Sequence, residues 1–166
     1  MIEFLRALEA SWPGQLIANS IWGFPGLEVV HLLGLTVVFG GMVLIDARLL
    51  GAGKEYSVRA LEGYVLPFVW VGFAIAAFSG GWLFVFEATT LARDPAFLLK
   101  VVLLAAAGLN ALFMHKLAMR DVASWDTRVA APAAVRASAA VSLLLWAAIL
   151  ALGRLIAYFY PPPLGY

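Results

Sequence analysis

Two histidines, His31 and His115, stand inside long apolar stretches of a chain that has no other histidine and no cysteine. An ionisable group at membrane depth is costly to keep, so it marks a functional site by default. The neutral imidazole is also the usual protein ligand of haem iron. Both are therefore candidate metal ligands. The missing cysteines exclude disulfides, thiolate metal sites and cysteine chemistry.

The neighbours of His31 narrow the chemistry. In a helix Gly34, Val38 and Gly41 fall at +3, +7 and +10 from His31 and share its face. Glycine in a membrane span permits close approach by a flat ligand or by another backbone. A porphyrin edge and a neighbouring helix both qualify. Three readings of His31 stay open: haem ligation, a hydrogen-bonded packing histidine, and proton or quinone chemistry. His115, followed by Lys116, is either a second ligand or a polar residue at the membrane face. On the His31 side lie Glu28, Glu87, Lys100, Arg154 and Tyr158. They are either mutually neutralising pairs, Glu28 or Glu87 with Lys100 or Arg154, or Lys100 and Arg154 hold an anionic group. Haem propionates and a polar quinone head are such groups.

Toward the other face, Asp46 and Arg48 are two residues apart and do not face each other on a helix. Each needs a partner elsewhere, such as Arg59 or Glu62, and a structural role is expected. Asn110 is a candidate interhelical hydrogen-bond group. Ala105–Gly108 and Ser79-Gly80-Gly81 offer surfaces for tight packing. Trp70, Trp82, Trp125 and Trp146 read as packing and interface anchors.

The elements that position these residues follow from composition. Of 166 residues, 64% are hydrophobic and 13% charged, against about 45–50% and 25% in a soluble domain. The mean hydropathy is +0.95. Such a chain presents apolar surface all round, so lipid is the expected solvent. The net charge of +1 gives no polyanion signal, and no nucleic acid partner is expected.

Four stretches reach the roughly 20 apolar residues that a span needs: Pro25–Leu50, Leu61–Ala88, Pro95–Met119 and Pro132–Tyr160. Pro25, Pro95 and Pro132 stand near span starts, where a missing N–H costs nothing. Asp94 is a good N-cap, and Pro67 is placed to kink the second span. Short linkers imply antiparallel neighbours. The expected fold is all-α: an integral membrane up-down four-helix bundle over residues 25–160. An amphipathic segment over residues 1–24 precedes it, lying on the membrane or docked on the bundle end, and a short tail, 161–166, follows. No signal peptide is read at the N-terminus, because Glu3, Arg6 and Glu9 interrupt it.

Lysine and arginine placement sets the orientation. Arg6, Arg93, Lys100 and Arg154 lie on the side of the termini. Arg48, Lys54, Arg59, Lys116, Arg120, Arg128 and Arg136 lie on the other, four against seven of the 11 basic residues. The positive-inside rule then puts both termini outside, in the periplasm of a bacterium. Depth separates the histidines. His31 is about six residues into the first span and His115 about twenty into the third, which runs parallel. At 1.5 Å per residue their rings stand roughly 20 Å apart along the membrane normal, too far to share one iron.

These residues carry a family likeness. His31-Leu32-Leu33-Gly34 through Phe39-Gly40-Gly41 resembles the H-x₈-G-G pattern of copper-resistance D-type membrane proteins. His31 and Gly41 followed by Arg48-Leu49 resemble the bacterial haem-b-type membrane protoporphyrinogen oxidases, which also place a membrane lysine before a later histidine, here Lys100 and His115. The chain as a whole is most similar to uncharacterised bacterial four-helix membrane proteins. Glu28, His31, Asp46, Arg48, Leu49 and Gly51 carry that likeness in the first span, and Phe97, Lys100, Asn110 and His115 in the third. The likeness covers roughly Trp22–Lys116. The oxidases have a proline before the arginine where this chain has Ala47, and their lysine-to-histidine spacing is shorter. The resemblance implies haem b binding by His31 more than porphyrin oxidation.

The expected function is therefore that of a cytochrome-like protein of the bacterial inner membrane. His31 would bind haem b, with Gly34, Gly41, Lys100, Arg154 and His115 as further cofactor-site candidates. It would exchange electrons with a quinone or a periplasmic redox protein, alone or as a homo-oligomer. The alternatives are an oxidoreductase acting on a porphyrin or quinone, with Lys100 or Glu28 moving protons, and a haem-free membrane anchor or small transporter subunit.

Overall fold

Sequence periodicity resolves into helices joined by tight turns. The computed structural model describes residues 1–159, without the side chains at 117, 118 and 159. Its elements are α1 (Ile2–Glu9), α2 (Trp12–Ala18), α3 (Gly23–Leu50), α4 (Val58–Phe86), α5 (Ala88–Leu91), α6 (Pro95–Phe113) and α7 (Ala133–Phe159). A π-helical turn, Met114–Ala118, continues α6, and a 3-10 turn, Val122–Ser124, follows it. There is no strand among the described residues. Tyr160 and the 161–166 tail lie outside them.

Four helices are long and apolar enough to cross a membrane: α3, α4, α6 with its continuation to Lys116, and α7. The second begins three residues before the apolar run suggests. Ser57 is its N-cap, with the hydroxyl accepting the Ala60 N–H at 3.0 Å, a common helix start that hydropathy alone hides. Asp94 caps α6 as its position indicates, accepting the Ala96 N–H at 2.9 Å. Gly51, at φ 114°, ends α3 in a left-handed conformation that suits glycine.

In the packing, α3 and α7 meet at the centre, α4 lies on α3, and α6 lies on α7. Side-chain contacts show these neighbours to be antiparallel. A Cβ at Gly34 would stand 2.8 Å from the Ala76 nitrogen and 2.9 Å from the Gly72 oxygen. One at Gly41 would run into a Val69 methyl group. The close contact on this glycine face is thus with a helix, not with a flat ligand. Within Ala105–Gly108 the packing falls on Ala107, which is buried, while Ala105 is exposed and nothing lies within 4 Å of a Cβ at Gly108.

The polarity is that of a membrane protein. Large apolar side chains such as Leu33, Phe68, Val102 and Leu144 are exposed along the spans, whereas Asp46, Ser79, Ser138 and Ser142 are buried. With lipid outside, dispersion and internal hydrogen bonds hold helices together. Asn110 does this as expected. Its amide donates to the Ser138 carbonyl at 3.0 Å and accepts from the Ser138 hydroxyl at 2.8 Å.

The N-terminal helices pack against α4 and α5, α2 also touching α3. Leu5 and Ile17 are buried, Trp82 Nε1–H donates to the Pro13 carbonyl at 2.8 Å, and Glu9 Oε1 accepts from the Thr89 N–H and hydroxyl, both at 2.7 Å. The other side of this segment, with Phe4, Trp12, Leu16, Ile21 and Trp22, is exposed.

At the opposite end, Arg48 ties the α3–α4 turn to the loop before α7. Its guanidinium donates to the carbonyls of Tyr56 (2.7 Å), Asp126 (2.9 Å) and Lys54 (3.2 Å). Asp126 completes the latch, accepting from the Ser57 hydroxyl at 2.8 Å and the Arg59 N–H at 2.9 Å. The Arg59 N–H bond is the main cause holding its carboxyl below the ordinary aspartate value. Hydrogen bonds to charged groups are worth about 1.5–3 kcal/mol each. Arg48→Ala should therefore lower stability by about 2–4 kcal/mol, and Arg48→Lys should recover little, because a point charge cannot serve three carbonyls as a planar fork does. Thermal unfolding in detergent measures this; an unchanged Tm in Arg48→Ala would show that the latch contributes nothing.

Candidate functional site

His31 is half-buried where α3 crosses α4. Its ring lies over Gly80, where a Cβ would come within 2.8 Å of the imidazole Cε1. Nδ1 stands 2.9 Å from the Ala76 carbonyl oxygen and 3.1 Å from the Ser79 hydroxyl oxygen. The Ser79 hydroxyl itself donates to the Ile75 carbonyl at 2.6 Å. A carbonyl only accepts, and the serine hydrogen is already used. Nδ1 must therefore be the donor, and the neutral ring carries its lone pair on Nε2. Ser79-Gly80 is thus a seat for His31 as well as a packing surface, while Gly81 is exposed with open space around it. A serine 48 residues away gives no local sequence signal of this role; only the antiparallel α3–α4 register reveals it.

Lys100 joins the same layer. It acts electrostatically on His31, and a Cβ at Gly153 would stand 3.4 Å from its Nζ. So α3, α6 and α7 bring His31, Lys100 and Gly153 together. Arg154 is the next residue on α7 and is exposed; Tyr158, also exposed, lies one turn beyond. The ion pairs expected of Glu28 or Glu87 with Lys100 or Arg154 are not formed among the described residues. Glu87 instead lies near Glu9. Burial, and then the Glu9 charge, push its carboxyl above the ordinary glutamate value.

The second histidine is elsewhere. His115, on the π turn after α6, is exposed and borders a cavity of about 230 Å³ that all four long helices enclose. Asp46 lines the same cavity. It lies 15 residues beyond His31 on α3, about 22 Å along the helix. His31 and His115 thus occupy different layers. No group of three or more histidine, aspartate or glutamate side chains suited to a bare metal ion occurs among the described residues. Haem makes a lesser demand, since the porphyrin supplies four nitrogens and the protein one or two axial ligands.

The cavity walls are mostly apolar, with Asp46, Glu62, Asn110, Ser142 and His115 among the polar lining residues. Glu62, expected as a partner for this end of α3, lines the same cavity as a second acid. The cavity is the site that the sequence left unrecognised. Asp46 and Glu62 lie on different helices, and each taken alone reads as an ordinary polar residue at a span end.

No protein-family model, curated protein or solved structure matches the chain in comparison with known proteins, so its function rests on the chemistry of these two layers.

Proposed function

We propose that the chain is a haem b-binding, cytochrome-like membrane protein in which His31 Nε2 is an axial ligand of the iron. The observation that carries this reading is the hydrogen-bonding of Nδ1. A metal-bound histidine almost always donates its other ring N–H to a carbonyl or carboxylate, which fixes ring and tautomer. His31 does this toward Ala76, with Ser79 as a second acceptor. Lys100 lies at the same level and would neutralise an acidic propionate; Arg154, one residue past Gly153, is the next candidate. Gly34 and Gly41 have no part in the cofactor site, because α4 covers them. His115, in the other layer, is not a ligand of the same iron. When bound, the haem would supply one-electron chemistry, with a membrane quinone or a periplasmic redox protein as the exchange partner. The absorption spectrum of the purified protein, with and without dithionite, is the direct test.

In this reading the four spans form an up-down bundle in a bacterial inner membrane, with both termini periplasmic and α1–α2 resting on the outer surface. The exposed aromatic side of α1–α2 and the four-to-seven basic asymmetry support it. Reporter fusions at Lys54 and Tyr166 should report opposite sides, Lys54 cytoplasmic. The same side for both would overturn the arrangement.

The second reading, a haem-free transporter subunit, is favoured by one observation: the cavity that all four long helices enclose at the level of Asp46.

A further inference from the structure

The cavity between the four spans is lined by two carboxyl groups, and the one titratable base among its described lining residues is His115, which is exposed. Asp46 is 1% exposed, and its Oδ2 has no hydrogen-bond partner. Among the described residues the Ser142 hydroxyl is the group that acts on that carboxyl, and no charged group acts on Glu62. Among the described residues no lysine or arginine lines the cavity. Arg48, the nearest cation along α3, is committed to the carbonyls of Lys54, Tyr56 and Asp126. A buried carboxyl without a partner is costly, and a bound positive charge removes that cost.

The rest of the lining suits such a charge. Trp70, Phe73 and Trp146 border the cavity, and aromatic faces attract cations, tryptophan most strongly. The way in is lateral. Trp70 is 66% exposed and Phe73 is 42% exposed, on the side where α4 and α6 are less closely packed than α3 with α4 or α6 with α7; α4 and α6 meet through the stacked rings of Phe84 and Phe97, toward the His31 end. A ligand arriving there comes from lipid and must carry an apolar body. At about 230 Å³, the space is below the usual range for drug-sized ligands and fits a one-ring molecule.

We propose that the Asp46–Glu62 cavity binds a small lipophilic organic cation, a quaternary or protonated amine with an aromatic or branched alkyl body, which enters from the bilayer between α4 and α6. The site lies about 22 Å from His31 along α3 and stands independently of haem. It deepens the transporter reading by naming its substrate class.

The test uses the full-length protein in detergent, with benzyltrimethylammonium as the probe and equilibrium dialysis as the readout. Saturable binding is expected. Glu62→Gln and Trp70→Leu should each weaken it on the order of tenfold, and Asp46→Asn more, while the neutral carbon isostere neopentylbenzene should bind on the order of tenfold less tightly than the cation. Absence of saturable binding overturns the proposal, as does cation affinity unchanged in the variants. Equal affinity for the neutral isostere also overturns it and assigns the cavity to neutral lipophiles such as quinones. If Asp46→Asn does not fold, Glu62→Gln and Trp70→Leu decide. These substitutions should leave any Soret band intact, so failure here and failure at His31 are distinguishable.

Discussion

His31→Ala is expected to abolish the Soret band of the purified protein, while His115→Ala retains most of it. The asymmetry follows from geometry. The Ala76 carbonyl and the Ser79 hydroxyl hold Nδ1 and leave the Nε2 lone pair for iron. No such fixing is seen at His115, which sits exposed on a π turn in the other layer. Groups that hydrogen-bond the free ring nitrogen of a metal-bound histidine typically change metal affinity 10–100-fold. Ser79→Ala leaves the Ala76 carbonyl in place and should cost on the order of tenfold in haem affinity, well short of complete loss. Haem titration with the Soret absorbance as readout measures all three variants. Equal loss in His31→Ala and His115→Ala would contradict the two-layer placement. Absence of a Soret band in wild-type protein expressed with haem supplied would end the cytochrome reading and leave the transporter reading to explain the chain.

Gly34→Leu is expected to be the most damaging single change in the α3–α4 interface, at about 3 kcal/mol, the upper end of overpacking costs. The first added carbon already meets the backbone of α4, at 2.8 Å from the Ala76 nitrogen and 2.9 Å from the Gly72 oxygen. Backbone cannot step aside as the end of a side chain does. The helices must separate, which also pulls Ala76 away from His31. Gly40 provides the internal control: it is exposed, with nothing within 4 Å of a Cβ. Gly40→Ala should be neutral or stabilise by up to about 1 kcal/mol through helix propensity alone. Thermal unfolding of the variants in one detergent gives the comparison. Similar melting temperatures for Gly34→Leu and the wild type would show that α3 and α4 are not in backbone contact.

The spans were legible because hydropathy and capping are local. About 20 apolar residues in a row, with Asp94-Pro95 at one start and Gly51 at one end, suffice to read a span without its neighbours. The interhelical role of Asn110 was legible for the same reason, since a lone amide in an apolar helix must find a partner. The depth of each histidine followed from counting residues at a fixed rise. What the sequence left open were choices between partners of equal local merit. Gly34 and Gly41 suit a porphyrin and a helix equally, and only the α3–α4 register assigns them to α4. Arg48 needed acceptors, and they proved to be three backbone carbonyls, one from a loop 78 residues away, because a carbonyl's availability depends on its own turn geometry. Asp46, Glu62, Ser142 and His115 come from four separate elements, and no periodicity links them. Their convergence on one cavity is decided by how the helices pack, and packing depends on side-chain shapes from the whole bundle at once.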